Sequence, residues 1–148
     1  VVSVDNIDEF FTYPGEVLII HDWKRPWRIT GNSSVYRFKL GAFPGLLPYF
    51  REHFDEIRQK FRNEQAYLSW YVDREGKQTY WPESWCKSYK YHCLQKIPMA
   101  YFKPPVKPEG AKIIVFHGEI NPPDAVNGGG GKWYRYVLPS QWIKDAWQ

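Results

Sequence analysis

Two short aliphatic runs set the limits on what this chain can become. Val17-Leu18-Ile19-Ile20 and Ile113-Ile114-Val115-Phe116 are sized for buried strands. Nothing in the 148 residues approaches the roughly 20 consecutive apolar positions of a membrane-spanning helix, so that class is excluded. The length suits one domain with a real core, and a single domain over 1–148 is expected.

Between the two runs the pattern alternates. Ser34 to Leu40 sets Val35, Arg37 and Lys39 against Tyr36, Phe38 and Leu40, which reads as a strand with one face buried. Leu46, Phe50, Phe54, Ile57 and Phe61 fall at helical spacing, with Pro44 and Pro48 near the expected first turn. Asn63 is placed to cap a second helix carrying Tyr67, Leu68, Tyr71 and Val72, closed by Gly76. Asp5, Asp8 and Glu9 read as the acidic first turn of a short helix. Asn121-Pro122-Pro123 and Gly128 to Gly131 read as loop, and Leu138-Pro139-Ser140 opens a last helix. Strands alternating with helices indicate the α/β class.

Composition narrows the partners. Twenty Lys and Arg against sixteen Asp and Glu leave a net charge of +4, which permits an anionic ligand but does not make the basic stripe of a nucleic-acid binder. Eight Trp, eleven Tyr and nine Phe exclude disorder. Such rings suit either a crowded core or platforms that stack on planar and sugar ligands, and both readings stay open. On one helix Cys86 and Cys93 would lie roughly 10 Å apart, too far to bridge. Reduced thiols and a cytoplasmic location are expected. The chain opens on Val1 without a signal-peptide profile and is read as a fragment whose start lies upstream.

The sharpest chemical feature is Lys112-Ile113-Ile114-Val115-Phe116-His117-Gly118. A buried strand delivers an imidazole to its carboxyl end, where open α/β sheets place ligands, and Gly118 lets a backbone approach closely. His21-Asp22-Trp23, with Arg25 and Arg28, ends the other aliphatic run and would share that rim if the two strands are parallel. Gly128 to Lys132 is not a phosphate-binding loop, because Trp133 stands where Ser or Thr must bind magnesium. Cys86, His92 and Cys93 lack the paired spacing of a zinc site.

Strand-Phe-His-Gly followed by prolines resembles the end of nucleotide-sugar-dependent glycosyltransferases of GT-A fold, especially the family-8-like group and its bacterial and viral relatives. The resemblance runs in order along the chain. Asp5-Asn6-Ile7-Asp8-Glu9-Phe10-Phe11 is similar to the segment after that family's Asp-x-Asp motif. Asn32-Ser33-Ser34-Val35 resembles its Asn-(Ser/Ala)-Gly-Val element, and Asn63-Glu64-Gln65-Ala66-Tyr67-Leu68 its Asp-Gln pair. Trp85-Cys86-Lys87-Ser88-Tyr89-Lys90 resembles a Trp-x-x-Ser-Tyr-Lys element.

The resemblance implies a partial GT-A-like mixed sheet flanked by helices, forming the carboxyl-terminal part of a transferase. It implies a nucleotide-diphosphate sugar as donor and a carbohydrate or other acceptor. His117 would be a ligand of manganese or magnesium, and Gln65 and Glu64 would sit at the reacting sugar. Asn32, Ser33, Gly118, Lys87 and Lys90 would bind donor or acceptor. The departing diphosphate gathers negative charge, which a cation and lysines stabilise. The Asp-x-Asp motif is absent from the sequence, so this chain alone is expected not to transfer sugar. Glu64 stands for the usual Asp, and Glu119-Ile120-Asn121 for the usual Lys-Pro. The alternative is a non-catalytic carbohydrate- or nucleotide-binding module stacking ligands on Trp81, Trp85 and Trp133.

Overall fold

A computed structural model describes residues 1–129, 134 and 136–147. In chain order the elements are β1 (Val2–Ser3), α1 (Asp8–Thr12), β2 (Val17–His21), β3 (Gly31–Phe38), α2 (Leu46–Glu52), α3 (Phe54–Lys60), α4 (Glu64–Arg74), β4 (Gln78–Tyr80), β5 (Cys86–Ser88), a π-helical turn (Tyr89–Cys93), a 3₁₀ turn (Met99–Tyr101), β6 (Ile113–Val115), α5 (Pro122–Asn127) and α6 (Gln141–Ala146). The mixed α/β class is present, as two three-stranded mixed sheets. The chain divides into two compact units, one of Val1–Phe11 with Pro82–Gln148 and one of Thr12–Trp81.

In the contiguous unit the sheet order is β3-β2-β4, antiparallel then parallel. β2 sits at the centre, and Val17 to Ile20 are at most 3% exposed, as expected for an aliphatic run with neighbours on both edges. The parallel return to β4 is made through α2 to α4. Pairing of β2 with β3 steps from Ile19–Tyr36 to Ile20–Asn32, so residues 33–35 bulge out of register. The strand therefore begins at Gly31, earlier than its alternation suggests.

Its buried face is also not the expected one. Tyr36, Phe38 and Leu40 are exposed, and Tyr36 stacks on Phe38 on the outside. Arg37 turns inward instead. Its Nη2 donates to the carbonyls of Tyr13 and Gly15 at 2.6 and 3.0 Å, and the guanidinium lies 5.7 Å from the Trp81 ring centre. Hydrogen bonds to two carbonyls and a ring face outweigh the aromatic preference for burial here.

The helices carry the aromatic load. The pattern from Leu46 to Phe61 gives two helices rather than one, broken at His53. His53 leaves helical geometry at φ −112° and ψ 28°, its ring stacked on Tyr49 at 4.1 Å. Asn63 caps α4 as expected, its Oδ1 accepting from the Ala66 N–H at 3.1 Å. Gly76 closes it at φ +66°, with Gly76 N–H donating to Asp73 O and Lys77 N–H to Val72 O. Tyr67, Tyr71 and Ile57 then bury against Phe43, Tyr49, Phe50, Phe61 and Trp70. Much of the aromatic excess is thus core.

The discontinuous unit repeats the sheet plan as β1-β6-β5, with β6 central, antiparallel to β1 and parallel to β5. Ile114 packs with Tyr89, Cys93, Ala111, Ala125 and Ile143, all nearly inaccessible. Asn121-Pro122-Pro123, read as loop, instead opens helix α5. Asn121 and Asp124 form a reciprocal capping box, and both prolines occupy first-turn positions where no backbone donor is needed. Ser140 begins α6, and its Oγ lies 3.1 Å from the Tyr89 hydroxyl.

Gly31 is pinned against the core. A Cβ there would lie 2.6 Å from Ile19 Cγ2, so Gly31→Ala is expected to cost about 1–3 kcal/mol. Asn63→Ala removes the α4 cap and is expected to cost about 1 kcal/mol. Urea denaturation midpoints check both, and a Gly31→Ala midpoint equal to the parent's would refute the packing account.

Candidate functional site

Asn32, Ser33 and Gln65 come together in the contiguous unit. β3 is an edge strand, and its outward N–H groups need partners. Two side chains of α4 supply them. Gly31 N–H donates to Ser69 Oγ at 2.9 Å, and Ser33 N–H donates to Gln65 Oε1 at 2.9 Å. Gln65 and Ser69 stand one helical turn apart, about 6 Å along the axis, while Gly31 and Ser33 are about 6.7 Å apart along a strand. The spacings match, so two helix side chains stitch two strand amides.

Beside this seam lies a cleft of about 250 Å³ lined by Asp22, Arg25, Arg28, Thr30, Gly31, Asn32, Arg62, Asn63, Gln65 and Ala66. Glu64 is exposed in the first turn of α4 and is not among these lining residues. His21 is stacked on Tyr80 at 4.2 Å. It ends a strand of a different sheet from β6, so the shared-rim expectation, conditional on parallel neighbours, does not apply.

His117 lies in the discontinuous unit, two residues beyond β6. It shares a cleft of about 610 Å³ with Lys90, Tyr91, Lys96, Glu119, Tyr134 and Tyr136, among others. Gly118 has φ +92°, and Lys90 Nζ lies 4.0 Å from where a Gly118 side chain would begin. Lys87, half-buried on β5, is not among the lining residues.

Ser88 joins two histidines. Its Oγ lies 2.7 Å from His117 Nε2 and accepts from the Tyr91 N–H at 3.3 Å, while its own N–H donates to His92 Nδ1 at 3.0 Å. The β5–β6 register puts Ser88 opposite Val115, at the end that leads into His117. A hydroxyl can donate or accept, so the Ser88–His117 bond runs in either direction. The Ser-x-x-x-His spacing of 88 and 92 was visible in the sequence. The pairing of 88 with 117 needed the strand register.

These residues do not by themselves fit a divalent metal. His117 Nε2 is held by Ser88, and among the described residues no three His, Cys, Asp or Glu side chains converge. Burial pushes the Cys86 and Cys93 thiols up to about 12.

Of the tryptophans expected to serve as stacking platforms, Trp81 and Trp85 are engaged. Trp81 is 3% exposed and its indole N–H donates to Val35 O. Trp85 packs on Phe10 with Lys112 over its ring. Trp133, like Gly130 to Lys132, lies outside the described residues. No known protein family, curated protein or solved structure matches this chain.

Burial, and then the nearby Lys87, hold the His92 imidazole below its ordinary 6.5. The unfolded chain therefore takes up this proton before the native one does. The stability His92 contributes is complete above pH 6.5 and falls as pH drops through that value toward the native one. Melting temperature is expected to decline from about pH 7 to pH 5.5 more steeply in the parent than in His92→Gln. Equal slopes in the two proteins would remove His92 from the account.

Proposed function

We propose that this chain is the carboxyl-terminal part of a GT-A-like glycosyltransferase, serving transfer of a sugar from a nucleotide-diphosphate donor to a carbohydrate or other acceptor. One observation carries the reading. Two motif segments of that resemblance, Asn32-Ser33 and Gln65, stand 32 residues apart and meet through the Ser33–Gln65 hydrogen bond at a polar cleft. A core-filling role for either segment would not call for a half-buried amide at a cleft.

The chemistry follows from the groups offered. Gln65 spends its carbonyl oxygen on Ser33, leaving its amide N–H₂ to donate to sugar hydroxyls, with Asn32 beside it. In the other unit Lys90 and Lys96 bring positive charge to the His117 cleft, and Gly118 keeps the backbone there uncovered. Such groups suit the negative charge that builds on a departing diphosphate. The Ser88 hydroxyl holds the His117 ring through its Nε2. Manganese or magnesium would need carboxylates beyond His117, and the Asp-x-Asp motif is not in this sequence. The chain is therefore expected to bind a nucleotide sugar without turning it over.

Calorimetric titration with UDP-glucose tests this. The parent is expected to bind, with Gln65→Ala weakening affinity about 10-fold, and no UDP released above background. Absence of binding at millimolar ligand, or affinity indifferent to Gln65→Ala, would overturn it.

A further inference from the structure

The cleft of the contiguous unit is rich in hydrogen-bond donors, and the oxygens of its three side-chain amides are engaged. Asn32 Oδ1 accepts from the Ser34 N–H at 2.8 Å, Asn63 Oδ1 from the Ala66 N–H at 3.1 Å and Gln65 Oε1 from the Ser33 N–H at 2.9 Å. Each of the three amides is thus left with its N–H₂ as the free polar group. Asp22, the one lining carboxylate, uses Oδ1 to accept from the Lys24 and Arg25 N–H groups at 2.8 and 3.3 Å. Arg25, Arg28 and Arg62 complete the wall. Among the described residues none of these three guanidinium groups is paired with a carboxylate within 4.0 Å.

We propose that this cleft binds a phosphomonoester on a small polar body, a phosphorylated sugar. Three guanidinium groups against one carboxylate leave a local excess of two positive charges, which a phosphate dianion balances. Guanidinium forks match phosphate oxygens in planar pairs, and acceptor-rich oxygens are what a wall of N–H donors lacks. Size and lining argue against a nucleobase inside the cleft. The cleft is smaller than the 300–1,000 Å³ typical for larger ligands, and no aromatic ring lines it on which a base could stack. Thr30 and the amides remain for sugar hydroxyls. The ligand class is read from the cleft alone and does not depend on sugar transfer.

Calorimetry at low salt with glucose 6-phosphate, glucose and inorganic phosphate tests the site, on the parent and on Arg28→Gln and Arg62→Gln. Glucose 6-phosphate is expected to bind about 10-fold more tightly than phosphate, with glucose alone silent. Each substitution is expected to weaken it about 10-fold, at unchanged melting temperature because both side chains are exposed. Shifts of the Asn32, Asn63 and Gln65 side-chain amide signals on adding glucose 6-phosphate to the parent give a readout that needs no variant. Equal affinity for phosphate and glucose 6-phosphate, indifference to both arginine substitutions, or unmoved amide signals would overturn the proposal. UDP-glucose binding that survives such a result would leave the transferase reading standing.

Discussion

The contiguous unit depends on how α4 meets the edge of its sheet. An edge strand leaves a row of N–H groups without partners, and Gly31 and Ser33 would be two of them. Ser69 and Gln65 take both, because one turn of helix and two residues of strand advance by nearly the same distance. The seam requires Gly31 to have no side chain, since Ile19 fills that space from the neighbouring strand. It also fixes the bulge at 33–35, and with it the position of Asn32 at the mouth of the cleft. Packing, register and the polar pocket therefore rest on one set of contacts.

The second unit is organised around a different polar group. Ser88 is fully buried, yet its backbone N–H and hydroxyl reach two imidazoles while the hydroxyl also receives the Tyr91 N–H. A buried hydroxyl with all its partners costs little, whereas one left unsatisfied costs about 1–3 kcal/mol. The same bonds hold the His117 ring at the carboxyl end of β6.

Local signals in the sequence were read well where they act locally. Asn63 and Gly76 bracket α4 because a cap and a left-handed closing residue depend only on neighbouring backbone. The aliphatic runs became the central strands of both sheets for the same reason that their composition suggested. Sequence reading failed where a distant partner decides. The face of β3 was inverted because Arg37 finds two carbonyls and Trp81, none of them visible in the alternation of residues 34–40. Prolines at 122 and 123 suggested a loop, although Asn121 and Asp124 already spelled a capping box around them. Nothing local in the sequence marks Arg62, since only the fold sets it beside Arg25 and Arg28.

The first strand of the chain waits a long time for its place. Val2 pairs with Ile114, so along the sequence the contiguous unit is inserted between the two segments of the other. Closing a loop of about 110 residues carries an entropic cost that grows only with the logarithm of its length, but it slows the search. During synthesis β1 emerges from the ribosome well before β6 exists. The inserted unit, whose strands and helices are neighbours along the chain, has every partner it needs by residue 81. Assembly thus has a built-in order, in which the inserted segment matures first and the two segments flanking it join last.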